Sequence, residues 1–240
     1  VFISPRYKFI FLRTPKTASS SMMEFFRKNV MPHDPNAIIG PIEDTKFQGN
    51  LPQAIMFKYQ KNFKIYHVTL EELYKDGLIN LDHIRHWNIF AVLRDPIDRQ
   101  KSFYYFFKKW RGHTGPGTLE HYNSYVDQFG CFTNEPNSRI LQYDMLRFQD
   151  SYKGKFWLYE NLNDELAEFV RSLNIDIVEK LPNFKSEFRT ERNAEFEFDR
   201  PTVQKMANHF REDFDLYSKI KVAKYEQQYA QSVEGFYSKN

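Results

Sequence analysis

Cysteine occurs once in these 240 residues, at Cys131, so the chain cannot close a disulfide on itself. It does not need one, because 41% of its residues are hydrophobic, enough to bury a core in a single domain over residues 1–240 without covalent staples. The absence suits a reducing compartment, and a cytoplasmic location is the expectation. Long hydrophobic runs are missing as well. No stretch approaches the ~18 to 20 apolar residues of a membrane span, and no signal peptide is read. The chain opens on Val1 rather than Met, which is compatible with a removed leader or anchor. Charge of one sign is scarce: the net value of +3 is too small to imply a nucleic-acid partner. Finally, there is no G-x-x-x-x-G-K-[ST] loop, whose glycines cradle a triphosphate in the P-loop enzymes.

What is abundant is aromatic. The 24 Phe and 15 Tyr predict an unusually aromatic interior or cleft. Residues 103–107 (FYYFF) are apolar around most of a helix, which predicts a buried helix against the sheet rather than a stacking platform.

Two short segments carry the chemistry. In residues 11–21, FLRTPKTASSS, an apolar strand breaks at Arg13-Thr14-Pro15-Lys16-Thr17 before helical spacing resumes at Ser19. Pro15 sets the turn, and Lys16 supplies a point charge. Thr17 to Ser21 offer hydroxyls and N–H groups at a helix start, where the helix dipole favours an anion. The same residues also suit an ordinary strand-to-helix turn with a Ser N-cap. In residues 92–102, VLRDPIDRQKS, the strand ends at Arg94, Asp95 stands at the N-cap and Pro96 at the first helical position. Ser102 follows about 9 Å along that helix, at 1.5 Å per residue. Arg94 and Ser102 can grip one phosphate between loop and helix. Alternatively Arg94 pairs with Asp95 or Asp98, and Ser102 faces solvent or bonds a carbonyl.

P-K-T-A-S-S-S after one strand, followed by R-D-P-x-x-R-x-x-S after a later one, resembles the sulfotransferases that use 3′-phosphoadenosine 5′-phosphosulfate (PAPS). The resemblance is strongest to the heparan sulfate 2-O-sulfotransferase type of carbohydrate sulfotransferase. It implies that Lys16, Thr17, Ala18, Ser19 and Ser20 bind the 5′-phosphosulfate and that Arg94 and Ser102 bind the 3′-phosphate. It further implies that Arg13 lies beside the sulfuryl group and neutralises charge. A His-Val step between the two motifs matches the family's general base, which makes His67 the candidate base. Glu71 and Glu72 on the adjoining helix are alternatives, since other sulfotransferases of this superfamily use a glutamate. Residues 185–189 resemble the family's loop over the cofactor, with Arg189 a candidate contact. Without the resemblance, His67 would read as a strand-end His bonded to a carbonyl, and Arg189 as a surface residue.

The implied reaction is an in-line sulfuryl transfer from PAPS to an acceptor hydroxyl, with adenosine 3′,5′-bisphosphate as product. Positioning and charge neutralisation do most of the work in such a transfer. Because a sulfuryl group carries less negative charge than a terminal phosphoryl, no metal is required. Hydroxyls of sugars, lipids, phenols or small metabolites all fit as acceptors, and the resemblance favours a saccharide. Two rivals stand beside this reading: an ATP-dependent phosphotransferase, and a non-catalytic binding module that retained the fold.

The pattern predicts strands near 7–12, 64–68, 88–93 and 156–160. Helices are expected near 19–30, 69–76, 96–109, 118–128, 138–148 and 163–173, with more after Pro201. The start near residue 69 carries a capping signal, Thr69 with Glu72. Alternation of strands and helices predicts an α/β fold, a three-layer parallel sheet with helices on both faces. The resemblance implies its P-loop-nucleotide-binding-like sulfotransferase variant. The ligand would lie at the C-terminal ends of the strands.

Overall fold

The computed structural model describes residues 1–40, 67–110, 141–178, 180–182 and 198–237. Its centre is a five-stranded sheet in the order β3-β1-β2-β4-β7, built from β1 (Phe2–Ser4), β2 (Phe9–Leu12), β3 (Ile38–Ile39), β4 (Asn88–Leu93) and β7 (Lys155–Leu158). Strands β2, β4 and β7 run parallel. The edge formed by β1 and β3 is antiparallel, so the sheet is mixed rather than wholly parallel. A two-residue hairpin pair, β5 (Arg147–Phe148) and β6 (Ser151–Tyr152), stands apart from it.

Strand alternation sorts the apolar residues to two sides. Phe9 and Phe11 of β2 and Phe90 and Val92 of β4 join one cluster, packed by α1 (Ser19–Asn29) and α5 (Leu162–Leu173). Ile10, Leu12, Ile89 and Ala91 join the other, with α2 (Leu70–Lys75) and α3 (Leu81–His86). The first cluster holds a group of aromatic rings packed on one another. Phe90 stacks on Trp157 at 4.1 Å, Phe169 meets Phe9 edge-on at 5.0 Å, and Phe26 of α1 meets Phe2 at 5.1 Å. Truncating one such ring to Ala typically costs about 3–5 kcal/mol. Strand β7 can lie this close to β4 because Gly154 precedes it: a Cβ there would sit 2.2 Å from the Ile89 carbonyl oxygen.

Helix α4 (Pro96–Trp110) follows β4, and α6 (Arg200–His209) and α7 (Arg211–Tyr237) close the chain. Phe103 and Tyr104 of α4 are buried as expected, but against Met206 of α6 and Phe210, beside the start of α7, rather than against the sheet. The capping box at Thr69 and Glu72 is present. Several elements differ from the sequence pattern. Strands β1 and β3 and helix α3 were not signalled, and residues 141–148 form turns and β5 instead of a helix. Tertiary contacts override helix propensity there: the Gln142 and Tyr143 amides bond to the Asp213 carboxylate. His67 and Val68 are not strand; the rest of the expected 64–68 strand, and the helix near 118–128, lie outside the described residues.

Candidate functional site

The β2–α1 loop is held in a costly shape. Lys16 (φ 61°) and Ala18 (φ 59°) are both left-handed, a conformation worth about 1–2 kcal/mol of strain for each non-glycine residue. Alternating left-handed residues turn successive N–H groups into a common concavity that suits an anion. Ala18 is the N-cap of α1 and no side chain caps the helix, so the Ser N-cap alternative is not what the chain adopts. The first-turn N–H groups have no acceptor within the helix by geometry alone.

Side-chain bonds to several of its groups hold the strained loop. Thr17 Oγ1 donates to the Thr14 carbonyl at 2.9 Å, and Arg13 Nη2 donates to Ser20 Oγ at 3.3 Å. Arg94 Nη1 donates to the Lys16 carbonyl at 2.9 Å, and Arg99 Nε to the Pro15 carbonyl at 3.2 Å. The last two come from the other motif, so the fold brings the two segments into direct contact. The Lys16 ammonium lies 4.1 Å above the Phe106 ring.

In the β4–α4 loop, Asp95 Oδ1 accepts from the Asp98 amide at 2.9 Å and caps the helix. Arg94 is 3% exposed and oriented from several sides. Its Nε donates to Asp98 Oδ2 at 2.5 Å, and its guanidinium carbon stands 4.2 Å over the Tyr159 ring. The expected Asp98 pairing is therefore real, yet it leaves Nη2 buried with no hydrogen-bond acceptor among the described residues. Ser102 is half-buried on α4.

His67 sits beside the first loop, its Nδ1 2.7 Å from the Arg13 carbonyl oxygen. A carbonyl only accepts, so Nδ1 carries the proton and the neutral ring keeps its lone pair on Nε2. Burial, reinforced by the nearby Arg13 charge, holds the imidazole well below its ordinary pKa. The glutamate alternatives are otherwise engaged. Glu72 Oε2 accepts from the Thr69 amide at 2.9 Å in the capping box, and Glu71 pairs with Lys75 at 2.7 Å.

Sequence reasoning passed over Arg99, Asp213 and Gln142. Arg99 and Asp213 are fully buried and paired at 3.1 Å. Burial lowers the Arg99 pKa to about 10, against the opposing pull of Asp213, so the guanidinium still holds its charge near neutrality. The available signal was the second Arg of R-D-P-x-x-R, an arginine one helical turn beyond the cap and one turn before the apolar run that starts at Phe103. Arg189 and the loop 185–189 lie outside the described residues. Among the described residues, no three His, Cys, Asp or Glu side chains form a metal-holding group, and no helix is long and apolar enough to cross a membrane.

Compared with known families, the chain matches the model of the sulfotransferase family over residues 1–219. It belongs to the sulfotransferase family. No curated protein and no solved structure matches it significantly. The matched span of this sulfotransferase contains both loops, His67 and Asp213. The family's general chemistry is sulfuryl transfer, which makes the chain a transferase.

Proposed function

We propose that this sulfotransferase moves a sulfuryl group from PAPS to an acceptor hydroxyl, in the manner of the 2-O carbohydrate type and with a saccharide as the favoured acceptor class. The P-loop-like, three-layer form of the α/β fold belongs to the same proposal. The observation that carries it is Arg94: a buried guanidinium, clamped by Asp98, Tyr159 and the Lys16 carbonyl, with Nη2 left to donate. A buried donor without an acceptor costs about 1–3 kcal/mol, and an anionic ligand would relieve that cost.

When bound, PAPS supplies an activated sulfuryl group whose leaving group is adenosine 3′,5′-bisphosphate. The residues present fit such an anion. Lys16, Thr17, Ala18, Ser19 and Ser20 would hold the 5′ side through N–H groups, hydroxyls and one ammonium, and Arg94 and Ser102 the 3′-phosphate. Arg13, 4% exposed, would neutralise charge at the transferring group. Lys16 would stabilise the charge that develops on the leaving side. His67 would take the acceptor hydroxyl's proton on Nε2, since burial keeps it unprotonated near neutral pH. Arg189 would contact the phosphates or the adenine.

Calorimetry in EDTA tests this reading. Adenosine 3′,5′-bisphosphate should bind without metal and more tightly than adenosine 5′-phosphate. At 100 times its Kd it should stabilise the fold by about 2.7 kcal/mol. Equal affinity for the two nucleotides would remove Arg94 and Ser102 from the 3′ site, and tighter binding of ATP with Mg²⁺ would favour the phosphotransferase reading. Bisphosphate binding without turnover of labelled PAPS on any hydroxyl acceptor would leave the binding-module reading.

A further inference from the structure

Three polar side chains far apart in sequence are buried together behind the two loops. Gln142 and Asp213 are both 0% exposed, as is Arg99. Gln142 grips both backbone groups of one residue: Oε1 accepts from the Arg94 amide at 2.9 Å, and Nε2 donates to the Arg94 carbonyl at 2.9 Å. Strand β4 ends at Leu93. The side-chain amide therefore behaves like one more residue of a neighbouring strand, extending the ladder by one position where the backbone has stopped pairing.

Gln142 is held in turn. Its own amide donates to Asp213 Oδ2 at 3.0 Å, and the Tyr143 amide donates to Oδ1 at 2.8 Å. The same carboxylate takes Arg99 Nη1 at 3.1 Å, whose Nε reaches the Pro15 carbonyl. One acid in the first turn of α7 thus braces both loops by separate arms. The Gln142 arm ends on Arg94, and the Arg99 arm ends beside Lys16. Burying this many polar groups is expensive, and a well-packed apolar cluster is often at least as stable. What an apolar cluster lacks is direction, and direction is what a guanidinium with one donor to spare requires.

We infer that Gln142, held by Asp213, is a positioning residue for Arg94, and that the start of the last helix thereby sets the preference for nucleotides bearing a 3′-phosphate. The inference rests on the function proposed above. Gln142 touches no reacting group; it acts by fixing the backbone on both sides of the Cα from which the Arg94 side chain departs.

The test uses the full chain with Gln142→Met, which keeps side-chain volume and removes both bonds. By calorimetry, affinity for adenosine 3′,5′-bisphosphate should fall about tenfold, and affinity for adenosine 5′-phosphate less than about twofold. A general loosening would weaken both alike, so an equal fall, or a ratio unchanged from wild type, overturns the inference. A wild type with no preference between the nucleotides instead defeats the functional reading, and the inference with it. If the variant does not fold, hydrogen exchange on the wild type decides. The 3′,5′-bisphosphate should slow exchange at the Gln142 and Tyr143 amides more than the 5′-phosphate does, and equal exchange with the two overturns the inference.

Discussion

The two loops at the strand ends are built in opposite ways. In the first, between β2 and α1, the backbone does the work: Lys16 and Ala18 are left-handed, and Ala18 leaves the helix without a side-chain cap. In the second, between β4 and α4, the backbone is ordinary, Asp95 caps the helix, Pro96 opens it, and a side chain, Arg94, keeps a buried donor to spare. On the proposed role, the N–H groups of the first helix start are kept for an anion, and a capping side chain would occupy them. Where a guanidinium is the donor, capping costs nothing. The first loop stores strain and the second stores charge, and each is held by bonds from the other motif or from Asp213.

On the proposed roles, the first loop should govern turnover and the second affinity. The largest effect belongs to His67, fixed by the first loop's Arg13 carbonyl. His67→Ala should lower turnover of labelled PAPS by about 10² to 10⁴ while nucleotide binding by calorimetry stays nearly intact. In the wild type, the acid limb of kcat/KM should lie below pH 6.5, because the folded imidazole is depressed beneath that value, and the variant should lose the limb. A variant that keeps both rate and limb makes His67 structural. The same depression has a sign for stability: as pH falls through about 6.5, the unfolded imidazole takes up a proton that the folded one refuses, so His67's contribution declines toward acid. Denaturant midpoints across that range measure it.

Lys16→Ala should come next, with a loss of at least about 10² in single-turnover rate at saturating PAPS and a much smaller loss of affinity. A rate within about twofold of wild type would remove Lys16 from the mechanism. Arg94→Ala should show the reverse pattern, weakening adenosine 3′,5′-bisphosphate about ten- to a hundredfold by calorimetry, the size of a charge-assisted bond of about 1.5–3 kcal/mol. If Arg94→Ala depressed turnover at saturation more than affinity, the division between the loops would fail.

The smallest pair addresses construction rather than chemistry. Asp95→Ala should destabilise by about 1 kcal/mol through the lost cap. Ala18→Gly should stabilise by up to about 1 kcal/mol, because glycine sheds the left-handed penalty while adding some unfolded-state freedom. Thermal unfolding should show the two moving in opposite directions, by about 2–4 °C for each kcal/mol in a chain of this length. Parallel shifts would mean that the loops are not built differently.

Much of this was legible in advance, for a physical reason. A strand that switches from period two to helical spacing across a Pro-containing turn is a local signal, so β2, α1, β4 and α4 and their loops could be read directly. The Thr69 capping box is equally local, since all its partners lie within one helical turn. Strands β1 and β3 were missed because they are three and two residues long and draw their stability from lateral pairing. Residues 141–148 misled for a related reason: their helical spacing is real, but Asp213 claims the amides a helix would have used.

By itself, the sequence determined the two strand-to-helix turns, the α/β alternation and the residue types available at each turn, because these depend on neighbours within a few positions. Only the tertiary structure decided which arginine of R-D-P-x-x-R keeps a donor to spare and which becomes a brace. Arg94 and Arg99 are chemically identical and both nearly or fully buried. They differ in what the fold sets opposite them. Asp213, far along the chain, closes over Arg99 with the Pro15 carbonyl beside it. Arg94 meets a carboxylate, a carbonyl and a ring that leave one nitrogen over. No local pattern carries that distinction, because it depends on contacts made across more than 70 positions of sequence.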